Sequence, residues 1–285
     1  MNHIRVVLSG GVWFVGVPIG TARDITLRAL DVLASADVLV AEDTRSLRKL
    51  MDIHGVPLAG RRIEALHEHS KDGVVARLVA RAAAGESVAY ASEAGMPLIA
   101  DPGFELARAA RAAGIPVTCA PGPSAVLTAL VVGGLPTDAF HFAGFLPASR
   151  SGRKAKLAEL EGVQATLVIY ESPKRLGALL YDALGVLGPD RACVVCRELT
   201  KKFEEKLHGT LGALADHYAS ANVKGEIVVL IGRAERLAVS ELDIESALVS
   251  ALKDMSVKDA AAFVAETFDV PRRQVYQQAL SMARN

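Results

Sequence analysis

From residue 12 to residue 120, short apolar runs rich in β-branched side chains alternate with stretches whose apolar positions recur at helical spacing. No other feature constrains the fold as tightly. Strands separated by helices do not pair as hairpins; they lie parallel, and the intervening helices cover both faces of the sheet. The pattern predicts strands over 12–17, 38–41, 62–66, 87–91 and 116–119. Helices are expected over 24–34, capped by Asp24, and over 45–53, 74–84 and 104–113, the last two stopped by Gly85 and Gly114. After the break at Gly133-Gly134 the alternation resumes, with strands over 140–143, 166–170, 192–196 and 227–231 and helices over 153–160, 174–187 and 211–219. A helix over 124–132 bridges the two rounds, and no internal repeat relates them.

Beyond Arg236 only helical patterns remain, over 244–252, 257–267 and 272–282, the last led by Pro271 in the favoured first-turn position. The expected architecture is α/β: two domains, 12–122 and 123–236, with mostly parallel or mixed sheets, and a helix-turn-helix-like helical tail over 240–285. The tail reads equally as a capping bundle or as a nucleic-acid contact through Arg272 and Arg273.

Charge and cysteine content narrow the function classes. The 285 residues carry 32 basic and 32 acidic side chains, a balance that excludes indiscriminate nucleic-acid coating. The mean hydropathy of +0.28 raises the question of a membrane span. The longest uncharged stretch, 112–137, contains Pro116, Pro121, Pro123 and Pro136, so no continuous apolar helix of ~20 residues fits. Arg5 precedes an apolar run broken by Gly10, Gly11 and Gly16 without a cleavage site, which argues against a signal peptide and for a cytoplasmic protein. Three cysteines make no disulfide framework. Cys193 and Cys196 lie three apart on an expected strand, pointing to opposite faces, and so read as structural rather than as a redox or zinc pair. His67 and His69 share a strand face, but no third ligand accompanies them, and no metal is expected.

In open α/β sheets, ligands gather beyond the carboxyl ends of the strands. Three of the loops expected there are unusual: Gly16-Val17-Pro18-Ile19-Gly20, the segment from Ser92 to Gly103, and Pro121-Gly122-Pro123-Ser124-Ala125. Their small residues allow a ligand to approach the backbone, and their prolines stiffen the walls. Neither a phosphate-cradling Gly-x-x-x-x-Gly-Lys-Ser/Thr loop nor a Gly-x-Gly-x-x-Gly helix start is present, which disfavours nucleotide hydrolysis and the usual dinucleotide site.

Pro18-Ile19-Gly20, Ala41-Glu42-Asp43-Thr44-Arg45, His67-Glu68-His69, Ala100-Asp101-Pro102-Gly103 and Pro121-Gly122-Pro123-Ser124-Ala125 together resemble the tetrapyrrole methylase superfamily. Gly144-Phe145-Leu146-Pro147, Tyr170-Glu171-Ser172-Pro173, Arg197-Glu198-Leu199-Thr200 and Lys224-Gly225-Glu226 follow in the order of its ribosomal RNA small subunit methyltransferase I branch. The resemblance implies S-adenosylmethionine in a cleft between two α/β domains, a homodimer, and 2′-O-methylation of a cytidine in the decoding region of 16S rRNA. It further implies that Pro18, Glu93, Ala94, Gly95, Met96, Ser124, Ala125, Tyr170, Glu171, Arg197, Gly225 and Glu226 surround the cofactor. Relatives usually carry Asp and Thr where this chain has Glu93 and Met96, a change expected to weaken cofactor binding.

For the proton of the ribose hydroxyl, Glu171, Glu42 and His67 are the candidate acceptors. Arg150, Arg153, Lys154 and Lys156, in a run read as flexible, are candidate phosphate contacts, with Arg45, Arg48, Lys49, Lys201 and Lys202 extending the path. Two other readings share part of this pattern: a methyltransferase acting on a tetrapyrrole precursor, and a non-catalytic RNA-binding ribosome-assembly factor.

Overall fold

A computed structural model describes residues 2–67, 73–100, 103–234, 241–268 and 270–282. The expected alternation appears as β1 (Gly11–Val15), α1 (Leu27–Ser35), β2 (Val38–Ala41), α2 (Thr44–Ile53), β3 (Ile63–Ala65), α3 (Val74–Ala83), β4 (Ser87–Ala91), α4 (Phe104–Ala112) and β5 (Val117–Ala120). The sheet is parallel throughout, in the order β3-β2-β4-β1-β5. Successive strand residues serve opposite faces. Val38 and Val40 join Leu78 and Leu106 of α3 and α4 in one core, while Leu39 and Ala41 join Leu30, Leu33, Leu47 and Met51 of α1 and α2 in the other. β1 lies between β4 and β5, so the loops leaving these three strands emerge side by side. The start of α1 differs from expectation: Asp24 belongs to a single 3-10 turn, and the Thr26 hydroxyl accepts the Ala29 N–H at 3.1 Å as the cap.

The second round comprises α5 (Ala125–Gly133), β6 (Phe140–Phe145), α6 (Arg150–Leu160), β7 (Thr166–Glu171), α7 (Leu176–Leu187), β8 (Ala192–Arg197), β9 (Glu205–Thr210), α8 (Leu211–Tyr218) and β10 (Ile227–Ile231). Its sheet, β6-β7-β10-β8-β9, is mixed: β6 and β7 are parallel, while β10 runs antiparallel to β7 and β8, and β9 antiparallel to β8. The edge strand β9 is absent from the sequence reading, because Glu-Lys-Leu-His-Gly-Thr carries one large apolar side chain and pairing with β8 decides its conformation.

α5 covers one face of this sheet, with Val126 and Leu130 against Val168, Val194, Cys196 and Leu230; α6, α7 and α8 cover the other, where Cys193 lies. Cys193 and Cys196 thus occupy different cores, and burial pushes their thiols up to about 12 and about 11. Ile19, from the loop after β1, packs into the α5 core, so both sheets belong to one compact unit, Met1–Ala234.

Glu235–Asn285 is a separate unit. Its helices α9 (Glu241–Ala251), α10 (Val257–Phe268) and α11 (Arg272–Met282) enclose their own core of Ile244, Leu248, Val264 and Val275. The Ser256 hydroxyl accepts the Asp259 N–H at 3.2 Å and donates to its carboxylate at 2.6 Å, closing the start of α10. Among the described residues, no helix is long and apolar enough to cross a membrane.

Candidate active site

The loops after β1, β4 and β5 meet in a floor where backbone touches backbone. A Cβ on Gly16 would lie 2.7 Å from the Gly122 nitrogen and 2.8 Å from the Met96 sulfur, so only glycine fits. Val17 and Gly95 exchange backbone hydrogen bonds of 2.9 and 3.1 Å, which fastens the β1 loop to the β4 loop. Gly95 and Met96 of this junction also line a cleft of about 390 Å³.

Glu93, Ala94, Gly95 and Met96 line it from the β4 loop, Ser124 and Ala125 from the start of α5, and Glu42 from the end of β2. Tyr170 and Glu171 come from the carboxyl end of β7. Gly225 and Glu226 precede β10, which runs opposite to β7 and β8 and therefore begins where they end. Ten of the twelve residues assigned to the cofactor by resemblance thus come together on a single cleft.

Two do not. Pro18 is absent from the lining, and its neighbour Ile19 takes that position. Arg197 turns away: its guanidinium donates to Glu205 at 2.8 Å and to the Lys224 carbonyl at 3.3 Å. The lining also includes Phe145, Ser172 and Leu199, which sequence reasoning missed although each lies within a quoted motif at a strand end. Phe145 stands edge-on to Tyr170, with ring centroids 5.7 Å apart.

Glu171 has the most constrained environment. Its side chain is fully buried; Oε1 accepts the Ser172 N–H at 2.7 Å, and Oε2 has no hydrogen-bond donor among the described residues. Arg175 Nη2 lies 3.1 Å from Oε2, off the direction of a hydrogen bond, and donates instead to the Leu146 carbonyl at 2.6 Å. Glu42 is already engaged, its Oε2 accepting the Glu93 N–H at 3.1 Å. His67 is exposed at the end of β3 and does not line the cleft; His69, Glu68, Asp101 and Pro102 lie outside the described residues. Among the described residues, no three His, Cys, Asp or Glu side chains are grouped to hold a metal.

The basic path requires correction. Ser149–Lys156 is not a flexible strap: the Ser149 hydroxyl caps α6 by accepting the Gly152 N–H at 3.3 Å, and the segment is its first two turns. Arg153 is 5% exposed and pairs with the buried Asp182 at 2.7 Å, so it is not available to RNA. Lys201 is bound to two carboxylates. Arg45 is exposed but holds Asp43, whose carboxyl its hydrogen bonds pull down to about 2. Arg150 shares Asp182 and rests over the Tyr181 ring, and Lys156 pairs with Glu159. Lys154 has no ion pair among the described residues.

A family model of tetrapyrrole (corrin/porphyrin) methylases matches residues 11–215, and a model of the RsmI C-terminal HTH domain matches residues 238–283. A ribosomal RNA small subunit methyltransferase I from Mesorhizobium japonicum is 45% identical over 276 residues, covering 96% of this chain and 93% of the relative. The chain belongs to the ribosomal RNA small subunit methyltransferase I family. Another member, from Vibrio cholerae, is 41% identical over 286 residues and 98% of both chains.

Among solved structures, the uroporphyrin-III-C-methyltransferase of Thermus thermophilus aligns with a TM-score of 0.56 and 25% identity, over 79% of this chain and 95% of that one. A uroporphyrin-III C-methyltransferase of the same organism, solved with S-adenosylhomocysteine, aligns with a TM-score of 0.53 at 20% identity, over 79% of this chain and 98% of its own, a likeness of fold.

The Met96 departure from the family pattern now has a structural correlate. The Met96 sulfur, a weak acceptor, takes the Gly122 N–H at 3.2 Å at the position where the resemblance leads to an expected threonine. Calorimetric titration with S-adenosylhomocysteine should show Glu93→Asp/Met96→Thr binding several-fold more tightly than the parent; equal affinities would remove this pair as a determinant.

Proposed function

We propose that this chain is an S-adenosylmethionine-dependent 16S rRNA methyltransferase acting on the ribose 2′-oxygen of a cytidine in the decoding region. The carrying observation is the Glu171 carboxylate, buried at the wall of the cleft with one oxygen lacking a hydrogen-bond donor among the described residues. A buried carboxylate oxygen that no hydrogen bond satisfies is costly even beside the Arg175 guanidinium, and a ligand hydroxyl or amine would complete it. Family membership supports ribosomal RNA as the methyl acceptor, and the Thermus complex supports the cofactor class.

The residues fit such a cofactor. The cleft volume of about 390 Å³ lies in the range of small-molecule sites, about 300–1,000 Å³. Gly95 and Gly225 allow close backbone approach, Glu226 and Ser124 offer acceptors, and Phe145, Ile19 and Leu199 supply apolar wall. When bound, S-adenosylmethionine supplies a methyl group activated by its sulfonium, with neutral S-adenosylhomocysteine as the departing product.

The chain's own task is alignment and proton removal. Holding the ribose hydroxyl in line converts an encounter into a positioned reaction. Glu171 Oε2 accepts the hydroxyl proton, and the Ser172 N–H on Oε1 fixes the carboxylate's orientation. The rRNA backbone meets the exposed Arg45 and Arg150 and the half-buried Lys154 and Lys156 and, separately, α11, whose exposed Arg272, Arg273, Gln274 and Tyr276 accompany no acidic residue on that helix.

The test is tritiated methyl transfer to unmethylated small subunits, naked rRNA and uroporphyrinogen. Label in the ribose of one rRNA cytidine is expected. Label only in uroporphyrinogen would replace this reading with tetrapyrrole methylation, and cofactor binding without transfer would replace it with a non-catalytic assembly factor.

A further inference from the structure

Among the described strands, β8 and β9 alone follow one another without an intervening helix, and the turn that joins them has an unusual backbone. Glu198 and Thr200 both adopt left-handed backbone conformations, with φ of +52° and +64°, which side chains other than glycine rarely take. Surrounding contacts must hold them there. Glu198 and Glu226 are reciprocally bonded: the Glu198 N–H donates to the Glu226 carbonyl at 2.9 Å, and the Glu226 N–H donates to Glu198 Oε1 at 3.0 Å. Lys201 Nζ closes the ring, donating to Glu198 Oε1 and to Glu226 Oε2, both at 2.9 Å.

Gly225 makes the ring possible, because a Cβ there would lie 2.5 Å from the Glu198 side chain. The same turn grips the first half of the molecule. The Thr200 hydroxyl accepts the Thr21 N–H at 3.2 Å, and a Cβ on Gly20 would meet the Lys201 side chain at 2.6 Å. Ile19 on one side and Leu199, Gly225 and Glu226 on the other all line the cleft.

We propose that Lys201 is a positioning residue for the cofactor wall rather than an RNA contact: it holds the Glu226 carboxylate at the cleft and fixes the gap between the loops of the two sheets. This rests on the cofactor reading above. Glu226 needs such a holder, since its side chain is 72% exposed and Lys201 is its ion-pair partner. Burial draws the Lys201 ammonium down, but its hydrogen bonds to Glu198 and Glu226 outweigh burial and raise it, while Lys201 holds Glu198 below the usual carboxylate range. An ammonium already shared by two carboxylates has little left to offer a phosphate.

The experiment measures S-adenosylhomocysteine affinity by calorimetry and the salt dependence of rRNA affinity, on the full chain, for the parent, Lys201→Met, Lys201→Arg and Glu226→Gln. Lys201→Met should weaken S-adenosylhomocysteine about tenfold, the scale of one charge-assisted hydrogen bond. Its rRNA affinity and salt slope should match the parent. Lys201→Arg should recover most of the loss, and Lys201→Met combined with Glu226→Gln should lose no more than the larger single change, because both act through one contact.

Unchanged cofactor affinity with a salt slope shallower by about one would make Lys201 a phosphate ligand and overturn the inference. Equal losses in both affinities, or full additivity with Glu226→Gln, would reduce it to a general structural residue and overturn it as well. Failure of the parent itself to bind S-adenosylhomocysteine would refute the cofactor reading instead.

Discussion

Glu171→Gln should lower single-turnover methyl transfer by about 10²–10⁴-fold, the usual contribution of a positioned general base, while leaving rRNA affinity intact. The amide preserves the size of the side chain and its acceptor for the Ser172 N–H, but it cannot take a proton from a ribose hydroxyl. Glu42→Gln is the internal comparison. Its carboxylate already accepts the Glu93 N–H, so a much smaller loss is expected. Rapid-quench measurement with enzyme in excess over RNA separates the chemical step from product release. An undiminished rate in Glu171→Gln would remove it as the proton acceptor and leave Glu42 as the cleft carboxylate to be tested next.

The second large effect concerns stability. Asp182 on α7 and Arg153 on α6 are 2% and 6% exposed and paired at 2.7 Å; Arg153 Nε donates to the same carboxylate at 2.8 Å, and Arg150 adds a contact at 3.2 Å from the outside. Asp182→Ala leaves the Arg153 guanidinium buried with the Ala148 carbonyl as its remaining partner among the described residues. Removal of one member of a buried pair costs about 3–5 kcal/mol, a large share of a total folding stability of roughly 5–15 kcal/mol. Replacing both by leucine should recover most of that loss, because it removes the stranded charge along with its partner. Urea denaturation of Asp182→Ala and of Arg153→Leu/Asp182→Leu checks both. A loss below about 1 kcal/mol for Asp182→Ala would mean that water reaches the pair, and that Arg153 is accessible after all.

The same pair explains where sequence reading stopped. The run Arg150, Arg153, Lys154 and Lys156 reads as a basic strap when only neighbours along the chain are considered. Asp182 lies 29 residues from Arg153, and only the packing of α6 against α7 brings them together. Lys201 is a similar case: Glu226 is 25 residues away and reaches it because β10 inserts between β7 and β8. Arg197 was assigned to the cofactor by motif position, and its pairing with Glu205 across the β8–β9 hairpin turns it elsewhere. The strand β9 itself was illegible because its exposed edge demands little apolar side chain.

By itself the sequence determined the α/β class, the parallel run of the first sheet's strands and the opposed faces of Cys193 and Cys196, while ten of the twelve residues that the family resemblance assigned to the cofactor meet on the cleft. The first three follow from periodicity and alternation, which are properties carried locally along the chain, whereas the cofactor residues came from matching motifs. Only the tertiary structure decided which carboxylate oxygen in the cleft lacks a hydrogen-bond donor among the described residues, and which cations are already neutralised. Those are matters of charge and hydrogen-bond satisfaction, and they depend on groups that meet only once the sheets and helices have packed.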